Sequence, residues 1–400
     1  MLGTAQLAGS ALSFLTAIII TRVGGAAVFG QYSLGLSVLA YGLVVTNFGT
    51  DISGVRMAAA HPDRISSMLL AILIIRLFFA TLIFAIILIL SPILAPEPAG
   101  RSILLIISTG LFAGALLSAW LPQGIENIKV TALIIFGPFT LTFAFTVLSA
   151  LFEPDGVAFA LSRLGGDALI AVAVLIWSWR FFNGSSWRAV RNVIRELIGQ
   201  SSAIAGSEIV RGLAFLSDML VVSFFFHDAT VGHFAAGYRI YLLLIAIAAM
   251  YSIVLFPRLS RAAANGPDAI WAELRSTLLW TVPVASALTL VFIAIVPWVL
   301  PFAFGPDFSP AVPALQLLGI AATLNFVHRN YSRTLIAMGL AGTDFHLKVI
   351  VTFVGIVLKI LCTWQWGITG TAAGLLLSEA LLLWLLQMAT RTKLRAGLPK

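Results

Sequence analysis

Twelve runs of about 20 predominantly apolar residues succeed one another along this chain, with only short polar connections between them. They cover residues 4–22, 31–49, 68–90, 102–121, 130–151, 157–179, 200–226, 235–257, 277–299, 312–337, 346–365 and 370–389. A helix of about 20 such residues crosses the ~30 Å hydrocarbon core of a bilayer. The runs are continuously apolar rather than alternating, which fits helices that satisfy their own backbone and not barrel strands. Composition closes off the soluble alternative, because only 10% of the 400 residues are charged, whereas a water-wetted domain carries ~25%. No connection is long enough to fold as a domain of its own. The sequence therefore predicts an all-α integral membrane protein of about 12 transmembrane helices.

Sidedness follows from counting Lys and Arg on alternate connections. One side collects Arg56, Arg64, Lys129, Arg180, Arg188, Arg191, Arg195, Arg258, Arg261, Arg275, Lys348, Arg391, Lys393, Arg395 and Lys400, whereas the other holds Arg101 alone. The positive-inside rule places the basic side and both termini in the cytoplasm. The net charge of +8 is thus a matter of topology, and no nucleic-acid partner is expected. The first run lacks the basic flank and cleavage site of a signal peptide. The lone Cys362, inside an apolar run, excludes an intramolecular disulfide and zinc sites built from several cysteines.

Two echoes point to a repeated six-span unit. Val28-Phe29-Gly30-Gln31-Tyr32, leading into span 2, is answered by Val231-Gly232-His233-Phe234, leading into span 8. Gln123-Gly124 before Lys129 is answered by Met338-Gly339 before Lys348. Six is even, so the copies enter the membrane in the same direction, as in transporters built from parallel repeats. The expected organisation is a six-helix bundle over 1–179, a basic cytoplasmic linker over 180–199, a second bundle over 200–389 and a basic tail over 390–400.

Eight bases and four acids fall inside the predicted spans: Arg22, Arg76, Arg163, Arg211, Arg239, Arg329, Arg333 and Lys359, with Asp167, Glu208, Asp218 and Glu379. Each costs ~2.5–3.5 kcal/mol at a helix centre, so such groups usually face a wet cavity or a partner. Glu208, Arg211 and Asp218 share an arc of about 80° on span 7. On span 10, Asn325, Arg329 and Arg333 recur at i, i+4 and i+8, with His328 beside them. Arg211, Arg329 and Arg333 are the primary cavity candidates. Arg22 and Arg239, near helix ends, can snorkel to the interface, as can Arg76 from two turns inside span 3. Arg163 and Asp167, at i, i+4, can neutralise each other, and Glu379 and Lys359 can pair across neighbouring late spans. Glu208 and Asp218 are candidates for ion coupling or for balancing the charge of Arg211. The surplus of cations favours an anionic substrate. Arg is the side chain suited to bidentate phosphate recognition, which makes a lipid-linked phosphate the natural candidate.

Signals for other chemistry are poor. There is no Gly-x-x-x-x-Gly-Lys-Ser/Thr phosphate loop, and neither a cofactor nor a catalytic residue is expected. Glu153-Pro154-Asp155 resembles the paired acids of membrane glycosyltransferases without the large outer domain that such enzymes need. His227-Asp228 lacks an identifiable partner for general-base work, and Asn183-Gly184-Ser185 is a glycosylation sequon on the cytoplasmic side. Pro138, Pro257 and Pro283 are expected to interrupt the helical ladder of their spans.

Four short motifs carry a family resemblance. Thr21-Arg22-Val23-Gly24-Gly25 followed by Phe29-Gly30-Gln31-Tyr32-Ser33-Leu34 resembles the opening of polysaccharide transporter family flippases. Asn47-Phe48-Gly49-Thr50-Asp51, with Arg56 after it, is similar to that family's end of span 2. Leu255-Phe256-Pro257-Arg258-Leu259 resembles its end of span 8, and Phe304-Gly305-Pro306-Asp307-Phe308 its element before span 10. The resemblance runs through nearly the whole chain and implies the multidrug/oligosaccharidyl-lipid/polysaccharide exporter superfamily fold, a V-shaped pair of six-helix bundles. It further implies a flippase in the bacterial inner membrane that moves undecaprenyl-diphosphate-linked oligosaccharide outward by alternating access. Its implied partners are the lipid-linked oligosaccharide, the bilayer, and a polysaccharide polymerase with its chain-length machinery. Arg211, Arg329 and Arg333 are then the expected diphosphate contacts, with Arg22, Arg76 and Arg239 secondary. A drug/ion antiporter of the same superfamily is the alternative, and a membrane-embedded glycosyltransferase or polymerase a weaker one. Members of the family begin with a basic cytoplasmic stretch that is missing here, so the start is expected to be truncated.

Overall fold

The structure, a computed structural model, describes residues 2–152, 154–226 and 228–396. Met1, Glu153, His227 and Lys400 lie outside the described residues, as does the side chain of Arg395. Every regular element among the described residues is helical. The chain divides into two compact units, Met1–Gly232 and His233–Lys400.

The first unit contains α1 (Leu2–Asn47), α2 (Thr50–Ala60), α3 (Ile65–Leu94), α4 (Pro98–Ser108), α5 (Gly110–Leu116), α6 (Trp120–Gly124), α7 (Ile128–Phe152), α8 (Gly156–Trp179) and α9 (Trp187–Phe225). It also takes the first turn of α10 (Asp228–Ala264), whose remainder belongs to the second unit with α11 (Pro267–Phe304), α12 (Val312–Ala337) and α13 (Ala341–Ala396). Among the described residues, nine helical segments are long and apolar enough to cross a membrane. Two of them, Leu2–Ala60 and Ala341–Leu394, are each long enough for two crossings and bend near the middle. With α9, whose apolar run is interrupted by Glu208, Arg211 and Asp218, these supply the twelve spans. The chain is thus a multi-pass membrane protein. Its exterior is apolar, with Phe302 83%, Phe152 79% and Trp364 77% exposed, as lipid rather than water requires.

The two bends place glycine where a side chain would be strained. α1 turns at Gly25 with φ 78° and α13 turns at Trp366–Gly367, Gly367 having φ 64°. In this left-handed region only glycine escapes the Cβ clash. The sequence reading left residues 23–30 as a connection, but here one residue suffices, because backbone inside lipid keeps its hydrogen bonds by staying helical. Span 4 departs the other way. Expected as one helix over 102–121, it is broken at Thr109 and again at Leu117, which is extended. The three prolines do not end their helices: α7, α10 and α11 run on through Pro138, Pro257 and Pro283.

The stretch read as a linker is helical from Trp187 onward and continues into span 7 without a break. Ser186 caps it by accepting from the Ala189 N–H at 3.2 Å. Val190, Val193 and Leu197 then pack on Met68, Ile72 and Trp120 in the core of the first unit. The second unit has its own core, where Leu255 and Leu259 meet Ile270, Leu274, Tyr331 and Leu335.

The glycines of the first sequence echo face each other within the first unit. A methyl group on Gly30 would overlap the Asp228 carbonyl, and one on Gly232 would overlap the Ala26 carbonyl. Gln31 Nε2 donates to Asp228 Oδ2 at 2.5 Å beside this crossing. Without a hydrophobic force between helices in lipid, such close backbone approach supplies the packing. Gly30→Val is therefore expected to separate α1 from the start of α10. A cysteine pair at positions 31 and 228 that crosslinks readily in the Gly30 background should crosslink at least about tenfold more slowly in the variant.

Candidate functional site

The polar groups of the spans form separate clusters in each unit. In the first, Asn47-Phe48-Gly49-Thr50-Asp51 is where α1 stops and α2 begins, with left-handed φ of 47° at Phe48 and 71° at Gly49. Such a break exposes polar atoms that hydrocarbon cannot satisfy. Arg76, 3% exposed on α3, reaches into it. Its Nε donates to Thr50 Oγ1 at 2.8 Å, and its Nη2 donates to Asn47 Oδ1 at 2.9 Å and Asp51 Oδ1 at 2.7 Å. Nη1 donates to the Leu117 carbonyl at 2.9 Å, in the gap between α5 and α6. Phe48 stacks on Phe79 at 4.7 Å beside the network. Four of the five guanidinium N–H groups are thereby committed to protein acceptors. We therefore assign Arg76 a bracing role between interrupted helices and withdraw it from the expected diphosphate contacts.

Arg163 and Asp167 form the expected i, i+4 pair at 2.8 Å on α8. Glu208 and Arg211 pair at i, i+3 on α9, with the Arg211 side chain 66% exposed. Asp218 is buried further along the same helix. Arg22 is exposed, three residues before the bend at Gly25. Asp155, considered as a catalytic acid, accepts from the Ala158 N–H at 2.6 Å and caps α8, an ordinary helix-capping task.

The second unit holds a denser cluster near the middle of α12. Glu379 of α13 accepts from Asn325 Nδ2 at 3.1 Å through Oε1, and its Oε2 lies 2.7 Å from His328 Nε2. The His328 and Glu379 side chains are 5% and 11% exposed. Asn325 also accepts from Arg329 Nε at 2.8 Å through Oδ1, so one amide links guanidinium to carboxylate. Tyr241 of α10 places its hydroxyl 3.5 Å from Glu379. One turn along, the Arg333 guanidinium lies over the Phe256 ring at 5.7 Å and directs Nη2 toward Ser252 at 3.5 Å. Arg329 and Arg333 are half-buried. Among the described residues, neither Nη group of Arg329 meets a protein acceptor. Arg239 is half-buried on α10, and Lys359 is buried on α13.

The structure thus brings Arg329 and Arg333 onto one face, as their spacing predicts, and keeps Arg76 for the protein. The Glu379–His328 pair was missed, although an acid and a histidine near the centres of spans 12 and 10 were its signal. Chemically, the cluster gathers two guanidinium groups, a carboxylate, an imidazole and the amide that links them.

The family model described as polysaccharide biosynthesis protein matches residues 1–263. No curated protein matches the chain by sequence. Among solved structures, an inward-facing multidrug resistance MATE family transporter of the MOP superfamily has a TM-score of 0.79 at 14% identity, over 97% of this chain and 95% of its own. The lipid II flippase MurJ in an inward closed conformation has a TM-score of 0.74 at 18% identity, over 98% and 87%. A MOP superfamily transporter from Pyrococcus furiosus has 0.59 at 13%, over 99% and 95%. At these identities the likeness establishes the fold alone and leaves function to be argued from the sites.

Proposed function

The chain belongs to the polysaccharide biosynthesis protein family, and from that premise we propose that it flips an undecaprenyl-diphosphate-linked oligosaccharide. The movement runs from the inner to the outer leaflet of the bacterial cytoplasmic membrane by alternating access, with both termini in the cytoplasm. The product serves O-antigen, capsule or exopolysaccharide synthesis, alongside a polymerase and its chain-length machinery.

The observation that carries this reading is the Arg329–Arg333 face. Two guanidinium groups stand one helical turn apart, half-buried in a membrane span, and the Nη groups of Arg329 meet no protein acceptor among the described residues. An intramembrane cation of this kind marks a substrate path, and a planar fork of donors matches a diphosphate. Arg211, a primary candidate by sequence, pairs with Glu208 and now joins Arg22 and Arg239 as a secondary contact; Glu208 balances its charge, and Asp218 stays a candidate for ion coupling.

The test is the leaflet location of the lipid-linked oligosaccharide in cells lacking this protein, probed in spheroplasts with a membrane-impermeant sugar-specific lectin. We expect the intermediate to accumulate unlabelled and to become labelled on re-expression. Labelling that is unchanged by deletion overturns the flippase reading. Greater drug susceptibility of those cells would then favour the antiporter.

A further inference from the structure

We propose that the first unit seats one zwitterionic phospholipid, drawn from the leaflet on its Lys- and Arg-rich side. The seat is a cavity walled by the turn over Pro62–Arg64, the connection over 180–186 and the first turns of α3 and α9. It is separate from the substrate face proposed above and does not depend on it.

Side-chain and backbone bonds hold the walls in place. Gly184 takes a φ of 82°, and its carbonyl accepts from Ser66 Oγ at 3.0 Å, while Ser185 Oγ donates to Ser66 Oγ at 3.1 Å. These bonds fasten the connection to the start of α3, and the Arg64–Glu196 pair at 2.8 Å ties the same region to α9. The space enclosed is about 650 Å³, within the ~300–1,000 Å³ of small-molecule sites.

The charges left for a ligand follow from their partners. Arg64 is committed to Glu196. Arg180 lies over the Trp177 ring at 5.2 Å and donates Nε to the Trp177 carbonyl at 2.9 Å. Neither of its Nη groups meets a protein acceptor among the described residues. Asp63, also in the lining, is exposed and pairs with no cation among the described residues. One open guanidinium fork and one open carboxylate match a phosphate joined to an ammonium.

A second feature supplies the lipid. Beside the cavity runs an apolar crevice lined by Leu69, Leu70 and Leu73 of α3 and by Leu175, Trp179 and Phe182. It adjoins the polar lining, because Leu69 lies two residues past Ser67 and Trp179 directly precedes Arg180. The crevice holds only about 20 Å³, so an acyl chain lies along it and is not engulfed. Ser178 also lines it, 1% exposed, and its Oγ has no hydrogen-bond partner among the described residues. Along α8 and its end the order is thus Leu175, Ser178, Arg180. A glycerophospholipid presents acyl chain, ester carbonyl and phosphate in the same order, and the ester carbonyl accepts from the stranded hydroxyl. Trp179 and Trp187 flank the site, 57% and 67% exposed, as aromatic side chains do where head groups meet hydrocarbon. That depth makes a lipid, and not a soluble phosphate ester, the occupant.

The experiment uses the full chain, purified in detergent and stripped of lipid. Native mass spectrometry with added phosphatidylethanolamine should show one tightly held adduct per chain. Arg180→Gln should weaken it about tenfold. Arg191→Gln removes an exposed charge of α9 outside the cavity lining and should leave the adduct unchanged. Phosphatidylglycerol should bind about tenfold more weakly, because its head group offers Asp63 no cation. Glycerophosphoethanolamine, the same head group without chains, should compete at least about a hundredfold less well, since contact with the chain methylenes is lost. Photolabelling of the unmutated chain needs no variant. A phosphatidylethanolamine with a diazirine in its acyl chain should crosslink within 69–73 or 175–182. Crosslinks absent from both segments overturn the seat, as do equal losses in the Arg180 and Arg191 variants. Equal binding of phosphatidylglycerol overturns the zwitterionic assignment. Competition by glycerophosphoethanolamine at the concentration of the lipid overturns the lipid and makes the ligand a soluble phosphate ester.

Discussion

Arg329→Ala is expected to reduce flipping by about 100-fold, the cost of withdrawing one half-buried charge from an anion it recognises. Insertion and thermal stability should stay near those of the parent chain, because the side chain makes a single hydrogen bond, Nε to Asn325, among the described residues. Arg329→Lys should recover only part of the rate, since an ammonium supplies charge but not the planar pair of donors. The measurement is initial-rate labelling of the outer leaflet in spheroplasts, with protein content matched by immunoblot. A variant that labels at the parental rate would remove Arg329 from the substrate path. A variant that fails to accumulate would make it structural.

Arg76→Ala should behave in the opposite manner. Its loss strands Asn47, Thr50, Asp51 and the Leu117 carbonyl without their common donor. Breaking a buried pair of this kind costs about 3–5 kcal/mol. The half-exposed Asp51 partner argues for the lower end of that range. A lower midpoint of thermal or denaturant-induced unfolding is the expected signature, with any loss of transport following from loss of folded protein. Arg76→Lys should rescue little, since three ammonium protons on one atom cannot reach acceptors on three interrupted helices. Normal stability with abolished flipping would return Arg76 to the substrate contacts.

Together these two arginines show where sequence reasoning ends. Both are bases within apolar runs; spacing puts Arg329 on a polar stripe with Asn325 and Arg333, but it says nothing of what either guanidinium meets on other helices. What distinguishes them is a pair of helix interruptions, at Asn47–Thr50 and around Leu117, that leave acceptors within reach of one side chain and not the other. The Asn47-Phe48-Gly49-Thr50-Asp51 motif was legible as a resemblance. Its physical task, a helix break whose polar atoms Arg76 gathers, was not.

The number of spans and the helical class were determined by the sequence alone, because the free energy of placing about 20 apolar residues in hydrocarbon is local and additive along the chain. The same locality made the Arg329–Arg333 stripe legible, since residues at i and i+4 share a face on any helix. Pairings between helices are not local. Glu379 meets His328 across 51 positions of sequence, Arg76 meets Asp51 across 25, and Gly30 meets the Asp228 carbonyl across an even longer separation. Each depends on how helices rotate and slide against one another, which only packing of the whole unit decides. So the sequence determined that this chain crosses the membrane twelve times and carries intramembrane charge, and tertiary structure decided which groups on other helices those charges meet.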